Sequence, residues 1–301
     1  MIGRVLKSTG SSYTVLSNNK IYLCKLSGKI RLEELKHTNP IAVGDEVKFS
    51  EENSIVEILD RKNYLIRRST NLSKQTHIIA SNIDFIWIVA CYKNPRTSTG
   101  FINRILVTAE AYGIPAGIIY NKKDLLDKID LEEVKVLQHE FEKIGYPTLL
   151  ISSFDNQDIE TLKKLLINQT SLFAGHSGVG KSSLLNAIDE KLEIKTGEIS
   201  QKHAKGTHTT TFAEMHSLKD GGFIIDTPGI KEFGLTGFEK YEIAEAFPEF
   251  VSMREYCKFN NCQHINEPGC AVIKGVEKNE IAYFRYNDYL NMIESNENKR
   301  T

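Results

Sequence analysis

The 301-residue sequence predicts an α/β protein in three parts. A central phosphate-loop domain with a mostly parallel sheet is expected over 71–233. It is preceded by a β-barrel of the oligonucleotide-binding kind over 1–70 and followed by a helical zinc-binding part over 234–301. Three observations carry this. A Gly-x4-Gly-Lys-Ser run lies between an apolar segment of strand length and a helical pattern. Strands alternate with helices from Thr76 onward, whereas the first 70 residues read as short strands only. Near the C-terminus three cysteines and a histidine fall within 14 residues.

Composition is that of an ordinary globular chain, with 41% hydrophobic and 26% charged residues and a net charge of −1. The charge is uneven: through Gln75 there are 13 Lys and Arg against 8 Asp and Glu. That basic end is a candidate nucleic-acid face. Met1–Asn19 lacks the continuous apolar segment of a secretory signal, and the run from Ile78 to Tyr92 is too short to span a bilayer. Five cysteines without a disulfide-like framework fit a reducing cytosol, so a cytoplasmic location and no membrane contact are expected.

In the first part, strands are expected at Gly3–Leu6, Ser12–Leu16, Ile21–Cys24, Asp45–Phe49 and Ser54–Ile58. Five such strands suit a small barrel, and barrels of this kind hold nucleic acid with basic and aromatic side chains. Arg4, Lys20, Lys25, Lys29, Arg31, Tyr13 and Tyr22 are the candidates. Arg61–Arg68 reads as a basic exit, with a charged linker as the plain alternative.

The α/β pattern then runs strand Ile83–Ala90, helix Phe101–Tyr112, strand Ala116–Tyr120, helix Leu131–Ile144, strand Pro147–Ile151, helix Ile159–Leu166 and strand Leu172–Ala174. Ligands bind at the carboxyl ends of such strands. One strand end carries Asn121-Lys122-Lys123-Asp124. The Asp124 carboxylate can accept from N1–H and the 2-amino group of guanine, which adenine lacks, and an unpaired buried acceptor penalises adenine. The Lys122 stem can lie along the base, and Asn121 can tie its loop to the phosphate loop. Ser152 and Ser153 end the next strand, where backbone N–H groups can meet guanine O6.

The phosphate loop is Gly175-His176-Ser177-Gly178-Val179-Gly180-Lys181-Ser182. Its glycines let successive N–H groups converge on phosphate oxygens at a helix N-terminus. Lys181 is expected at the β- and γ-phosphates, and the Ser182 hydroxyl on Mg²⁺. Downstream lie Gly206-Thr207-His208-Thr209-Thr210-Thr211, a hairpin-like pair (Phe212–Ser217 and Gly222–Ile225), and Asp226-Thr227-Pro228-Gly229. Asp226 can hold Mg²⁺ through water, and the Gly229 N–H can contact the γ-phosphate. One threonine of Thr209–Thr211, taken as Thr210, can supply a second hydroxyl to the ion.

The order of these elements is informative. Ordinary small GTPases run phosphate loop, switch threonine, DxxG, NKxD, serine loop; here NKxD and the serine loop come first. Joining the old ends and cutting elsewhere preserves the spatial site. It also leaves DxxG feeding directly into the segment beyond residue 233.

That C-terminal segment contains Cys257-x4-Cys262-x-His264-x5-Cys270, a complete tetrahedral zinc set that leaves no position for a catalytic water. One structural ion is expected. Cys24 and Cys91 sit in apolar strands and read as core. Helices are expected at Lys240–Phe247 and Val276–Ile293, whose basic residues can touch RNA.

Barrel, permuted nucleotide domain, GTHTTT, DTPG and the Cys-Cys-His-Cys knot together make the chain resemble the ribosome small-subunit-dependent GTPase A family over nearly its whole length. The resemblance implies a GTPase that binds the small ribosomal subunit and its rRNA during late maturation. It implies weak hydrolysis that the subunit stimulates, with the GTP or GDP state controlling binding and release. Nucleotide contacts then fall on Asn121, Lys122, Lys123 and Asp124 and on Gly175 through Ser183, and zinc on Cys257, Cys262, His264 and Cys270. Ile230 stands where many GTPases place a water-orienting Gln and can neither donate nor accept, so slow intrinsic turnover is expected, with His208 orienting the water. Guanosine tetraphosphate, sharing the guanine edge, is expected to compete. A monomer is expected, with assembly factors on the subunit as further partners. Two rival readings are an ATPase or small-molecule kinase, which NKxD disfavours, and an RNA-binding scaffold in which guanine nucleotide is structural or regulatory.

Overall fold

The computed structural model describes residues 1–28, 40–68, 76–194, 213–227 and 238–297. Lys29, Arg31, the Gly206–Thr211 run with His208 and Thr210, Pro228, Gly229 and Ile230 lie outside them.

Five strands open the chain: β1 (Ile2–Ser8), β2 (Tyr13–Ser17), β3 (Lys20–Leu26), β4 (Glu46–Phe49) and β5 (Ser54–Ile58). They run β1-β2-β3-β5-β4, and β4 pairs back onto β1, so the sheet closes into the barrel that the turn spacing predicts. Alternation fills the inside with Val5, Tyr13, Val15, Cys24, Val47, Phe49 and Ile55. Tyr13 is therefore a core side chain and drops out of the candidate nucleic-acid contacts. Arg4 is committed too, ion-paired to Glu46 at 2.8 Å with its guanidinium over the Phe223 ring. Lys20 and Lys25 remain on the outside.

Arg61–Arg68 is not a free linker. Arg61 donates to both oxygens of the buried Asp45, at 2.7 and 2.6 Å, and Ser81 Oγ donates to the same carboxylate. Beyond it β6 (Tyr64–Arg68) pairs antiparallel with β7 (Thr76–Ser81). The charges at both ends of the run mask its short apolar centre, where Leu65 is fully buried.

The central sheet is built from β8 (Phe85–Ala90), β9 (Ala116–Tyr120), β10 (Thr148–Leu150), β11 (Thr170–Ala174), β12 (Glu214–Ser217) and β13 (Phe223–Asp226). Its order is β10-β9-β8-β11-β13-β12; the first five strands are parallel and β12 is antiparallel. β12 then meets β1 at Lys7↔Glu214, where an ion pair joins barrel to sheet edge. Side chains of β8 go alternately to two cores. Ile86, Ile88 and Ala90 face α1 (Thr99–Ala111) and α2 (Lys128–Lys143). Trp87, Val89 and, just past the strand's end, Cys91 face α3 (Asn156–Leu166) and α4 (Lys181–Ile188). A sheet buried on both faces reads as continuous apolar runs, which is why these strands are conspicuous in the sequence. Ser98, Asp127 and Asp155 cap the first three of these helices through their side chains.

The C-terminal part has α5 (Lys240–Glu245), α6 (Pro248–Val251), α7 (Ala271–Glu277) and α8 (Tyr283–Glu297). The single helix expected over Val276–Ile293 is two. Asn279 takes φ 60°, and the N–H groups of Glu280 and Ile281 fold back onto the Gly275 carbonyl, which ends α7. Likewise α5 stops at Glu245, before Pro248 starts α6. Phe247, Phe250, Tyr289 and Met292 form this part's core, to which α1 contributes Val107. Among the described residues no helix is long and apolar enough to cross a membrane.

Candidate functional site

The carboxyl ends of β8, β9, β10, β11 and β13 converge on one place, and the motif residues arrive there with them. The loop after β11 is tightly enclosed. A Cβ on Gly175 would stand 2.6 Å from the Val89 carbonyl oxygen, and one on Gly180 2.6 Å from Asn121 Nδ2. Gly180 also has φ 83°, a conformation that costs a side chain but not glycine. The loop is gripped from behind by its carbonyls. Asn121 Nδ2 donates to Val179 O at 3.0 Å, Cys91 Sγ approaches the same oxygen at 3.3 Å, and Lys122 Nζ donates to Gly178 O at 2.7 Å. Burial pushes the Cys91 thiol up to about 11, against a lowering by Lys122, so it stays a protonated donor. Two of the loop's carbonyls, those of Gly178 and Val179, are thus engaged by side chains, leaving its N–H groups to serve an anion.

The base-reading segment is placed by the same contacts. Lys122 has φ 65° and its ammonium also reaches Asn94 O at 2.5 Å, so its stem lies across the gap between two loops. Asp124 accepts from Ser152 Oγ at 2.5 Å, and Ser153 Oγ donates to Asn121 Oδ1 at 3.1 Å. NKxD and the serine loop are thus one hydrogen-bonded unit. Lys123 turns away from it and pairs with Asp158 at 2.6 Å; that carboxylate also accepts the Ser152 N–H at 2.9 Å. Sequence reasoning gave Lys123 a nucleotide contact; in this structure its side chain braces the serine loop.

At the other end of the cradle, Lys181 Nζ pairs with the Asp226 carboxylate and donates to Thr227 O at 3.1 Å. Ser182 and Ser183 follow in the first turn of α4. The residues fit a Mg²⁺–guanine nucleotide: a cradle closed to Cβ atoms, an ammonium, a hydroxyl and a carboxylate at its end, and a second carboxylate on the base side. His208, Thr210 and Gly229 lie outside the described residues. Asn94 and Thr97, on the loop after β8, belong to the site and escaped sequence reasoning. Thr97 Oγ1 is 2.7 Å from His176 Nε2, and Pro95 packs against Gly178. No motif marks that loop; only its position after a buried strand could have pointed to it.

The four predicted metal ligands come together. Sγ of Cys257, Cys262 and Cys270 and a ring nitrogen of His264 lie within 4.8 Å of one another. His264 Nδ1 is 3.3 Å from Cys270 Sγ and 3.7 Å from Cys257 Sγ. Tetrahedral zinc separates such ligand atoms by about 3.5–3.8 Å, so small side-chain shifts bring the set onto one ion. Backbone N–H groups of Ala271 and Ile273 point at the Cys257 and Cys270 sulfurs. Glu267 braces the loop by accepting from the N–H groups of Gln263, Ile265 and Asn266.

The RsgA GTPase family model matches residues 58–236, and the RsgA N-terminal domain model matches residues 2–56. A Flavobacterium johnsoniae protein, "Small ribosomal subunit biogenesis GTPase RsgA", is 50% identical over 305 residues, covering 99% of this chain and 94% of that one. A Bacteroides fragilis protein of the same name is 48% identical over 302 residues, covering 99% and 97%. Among solved structures, YjeQ from Thermotoga maritima superposes with a TM-score of 0.79 at 34% identity, covering 98% of each chain. YloQ, described as a circularly permuted GTPase, gives 0.77 at 28% identity, covering 100% of this chain and 96% of that one.

Proposed function

Since the chain belongs to the RsgA GTPase family, we propose that its site hydrolyses GTP in step with maturation of the small ribosomal subunit. It is a GTP-hydrolysing enzyme acting in small-subunit biogenesis.

The observation that carries the reading is the joint between the base-reading unit and the phosphate cradle through Asn121 and Lys122. Asp124 selects guanine with two charge-assisted acceptor contacts, and Ser152 keeps the carboxylate aimed. Lys181 exchanges Asp226 for the phosphate oxygens, which frees the Asp226 carboxylate to hold water on Mg²⁺ beside the Ser182 hydroxyl. Thr210 supplies the second hydroxyl, and Gly229 donates to the γ-phosphate. Mg²⁺ held there would neutralise charge on the transferring phosphoryl group. Water attacks the γ-phosphorus, and the bond to the β–γ bridging oxygen breaks to leave GDP and phosphate. His208 orients that water, because the Ile230 side chain has no polar atom to do so.

On this reading the free enzyme is slow and the docked subunit accelerates it by ordering the His208 segment. Barrel and zinc-bearing part grip rRNA, and loss of the γ-phosphate releases the chain late in assembly. Further proposals are a monomer acting in the cytoplasm, a division at residues 70 and 233, competition by guanosine tetraphosphate, and assembly factors as neighbours on the subunit. The test is GTP turnover with and without purified small subunits, for the wild type and His208→Ala. Strong stimulation of the wild type and its loss in the variant, with GTP binding retained, are expected. Full stimulated turnover in the variant refutes the histidine's role. Absence of stimulation in the wild type favours the scaffold reading.

A further inference from the structure

The N-terminal half of α1 is fastened twice, at its start to the phosphate loop and one turn on to the zinc-bearing part. At its start, Thr97 Oγ1 accepts the Cys91 N–H at 2.9 Å and so turns its own proton to His176 Nε2 at 2.7 Å. His176 Nδ1 then carries the ring proton and faces the Ser177 carbonyl at 3.0 Å. This tautomer, assigned from the network, satisfies every contact. The same ring meets Phe101 edge-on, with centroids 5.3 Å apart.

One turn further on, fully buried Asn103 holds two groups of α8. Its Nδ2 donates to Asp288 Oδ2 at 2.7 Å, and its Oδ1 accepts from Arg285 Nη1 at 2.7 Å. Arg285, only 1% exposed, forks onto Glu249 of α6 at 2.7 and 3.0 Å and lies over the Phe247 ring. Gly100 makes room, since a Cβ there would stand 3.1 Å from Asp288 Oδ1. A buried ion pair adds little net stability but enforces geometry, because a small slip leaves charges and amides unpaired. Motion at the phosphate-loop end of α1 therefore reaches α6 and α8.

We propose that α1 is a strut coupling nucleotide occupancy of the phosphate loop to α8 and the zinc-bearing part. His176 is the positioning residue on the phosphate-loop side, and the Asn103–Arg285 joint, one turn into the helix, fastens the zinc-bearing side. This path is separate from the DxxG segment that leads directly into the C-terminal part, and it rests on the guanine-nucleotide reading of the site.

Amide hydrogen exchange of the full-length chain, with and without saturating GDP, tests it. In the wild type GDP slows exchange across α8 about fivefold or more, the range of ordinary site-to-site coupling. His176→Ala abolishes that slowing at GDP concentrations that saturate the variant, with zinc content and thermal midpoint unchanged. His176→Gln restores it, because the amide oxygen accepts the Thr97 hydroxyl. Asn103→Ala gives the same loss from the zinc-bearing side; should it misfold, Asp288→Asn replaces it. Slowing that survives in His176→Ala, or α8 exchange indifferent to GDP in the wild type, overturns the strut. A wild type that binds no guanine nucleotide overturns the underlying reading, and the strut with it.

Discussion

The side-chain amide of Asn121 donates to the main-chain carbonyl of Val179 at 3.0 Å, across 58 residues of sequence. It fuses two motifs whose chain order is the reverse of that in ordinary small GTPases. Removing it in Asn121→Ala strands a buried carbonyl and loosens the base-reading unit. GTP and GDP affinities should fall together by about 10- to 100-fold, ~1.5–3 kcal/mol, in a fluorescent-nucleotide titration. Unchanged affinity contradicts the joint.

Asp124→Asn exchanges an acceptor pair for an amide. The amide N–H matches the 2-carbonyl of xanthine and clashes with the 2-amino group of guanine. GTP affinity should drop about a hundredfold or more while XTP binding improves, as competition assays with the two nucleotides will read.

Arg61→Ala leaves the Asp45 carboxylate buried without its charge partner. The loss expected is about 3–5 kcal/mol of folding stability, measured by urea unfolding. Nucleotide affinity in the surviving folded fraction should stay near wild type, since the pair lies between barrel and hairpin.

Zinc should be present at one ion per chain and should resist mild chelators. Cys257→Ser should lower the metal content and unfold the C-terminal core of Phe247, Phe250 and Tyr289, seen as lost exchange protection in α7 and α8. A metal-free preparation with a native C-terminal part contradicts a structural ion.

Asp84 gives an acid-range signature. Burial raises its pKa, but the Lys62 ammonium and the Thr170 N–H outweigh burial and hold it below the ordinary carboxylate value of 3.8. A carboxyl depressed in the folded state contributes stability that is present above its unfolded pKa and lost as pH falls through the folded value. The stability gap between wild type and Asp84→Asn should therefore be constant above about pH 5 and shrink below about pH 4. A gap independent of pH in that range speaks against the pairing.

Much of this was legible in the chain itself. Short alternating strands gave the barrel, and apolar runs such as Phe85–Ala90 gave the doubly buried sheet, because burial on two faces leaves no polar period to misread. Glycine placement, the NKxD carboxylate and the spacing of Cys257, Cys262, His264 and Cys270 are local signals whose chemistry survives without coordinates. Less was visible where one signal overlay another. Arg61–Arg68 advertised charge and hid both a strand and a buried ion pair. The unbroken helical pattern through Val276–Ile293 hid a left-handed Asn279.

Composition and spacing by themselves determined the parts: which residues are candidates to meet guanine, phosphate and metal, and where most strands and helices lie. Such choices depend on groups a few residues apart, and those separations are written in the chain. Only tertiary structure decided that Tyr13 is core, that Lys123 braces the serine loop, and that Thr97, Asn103 and Arg285 link the phosphate loop to the zinc-bearing part. Those outcomes depend on which side chain fills the space beside another across as many as 182 residues, a separation no local period encodes.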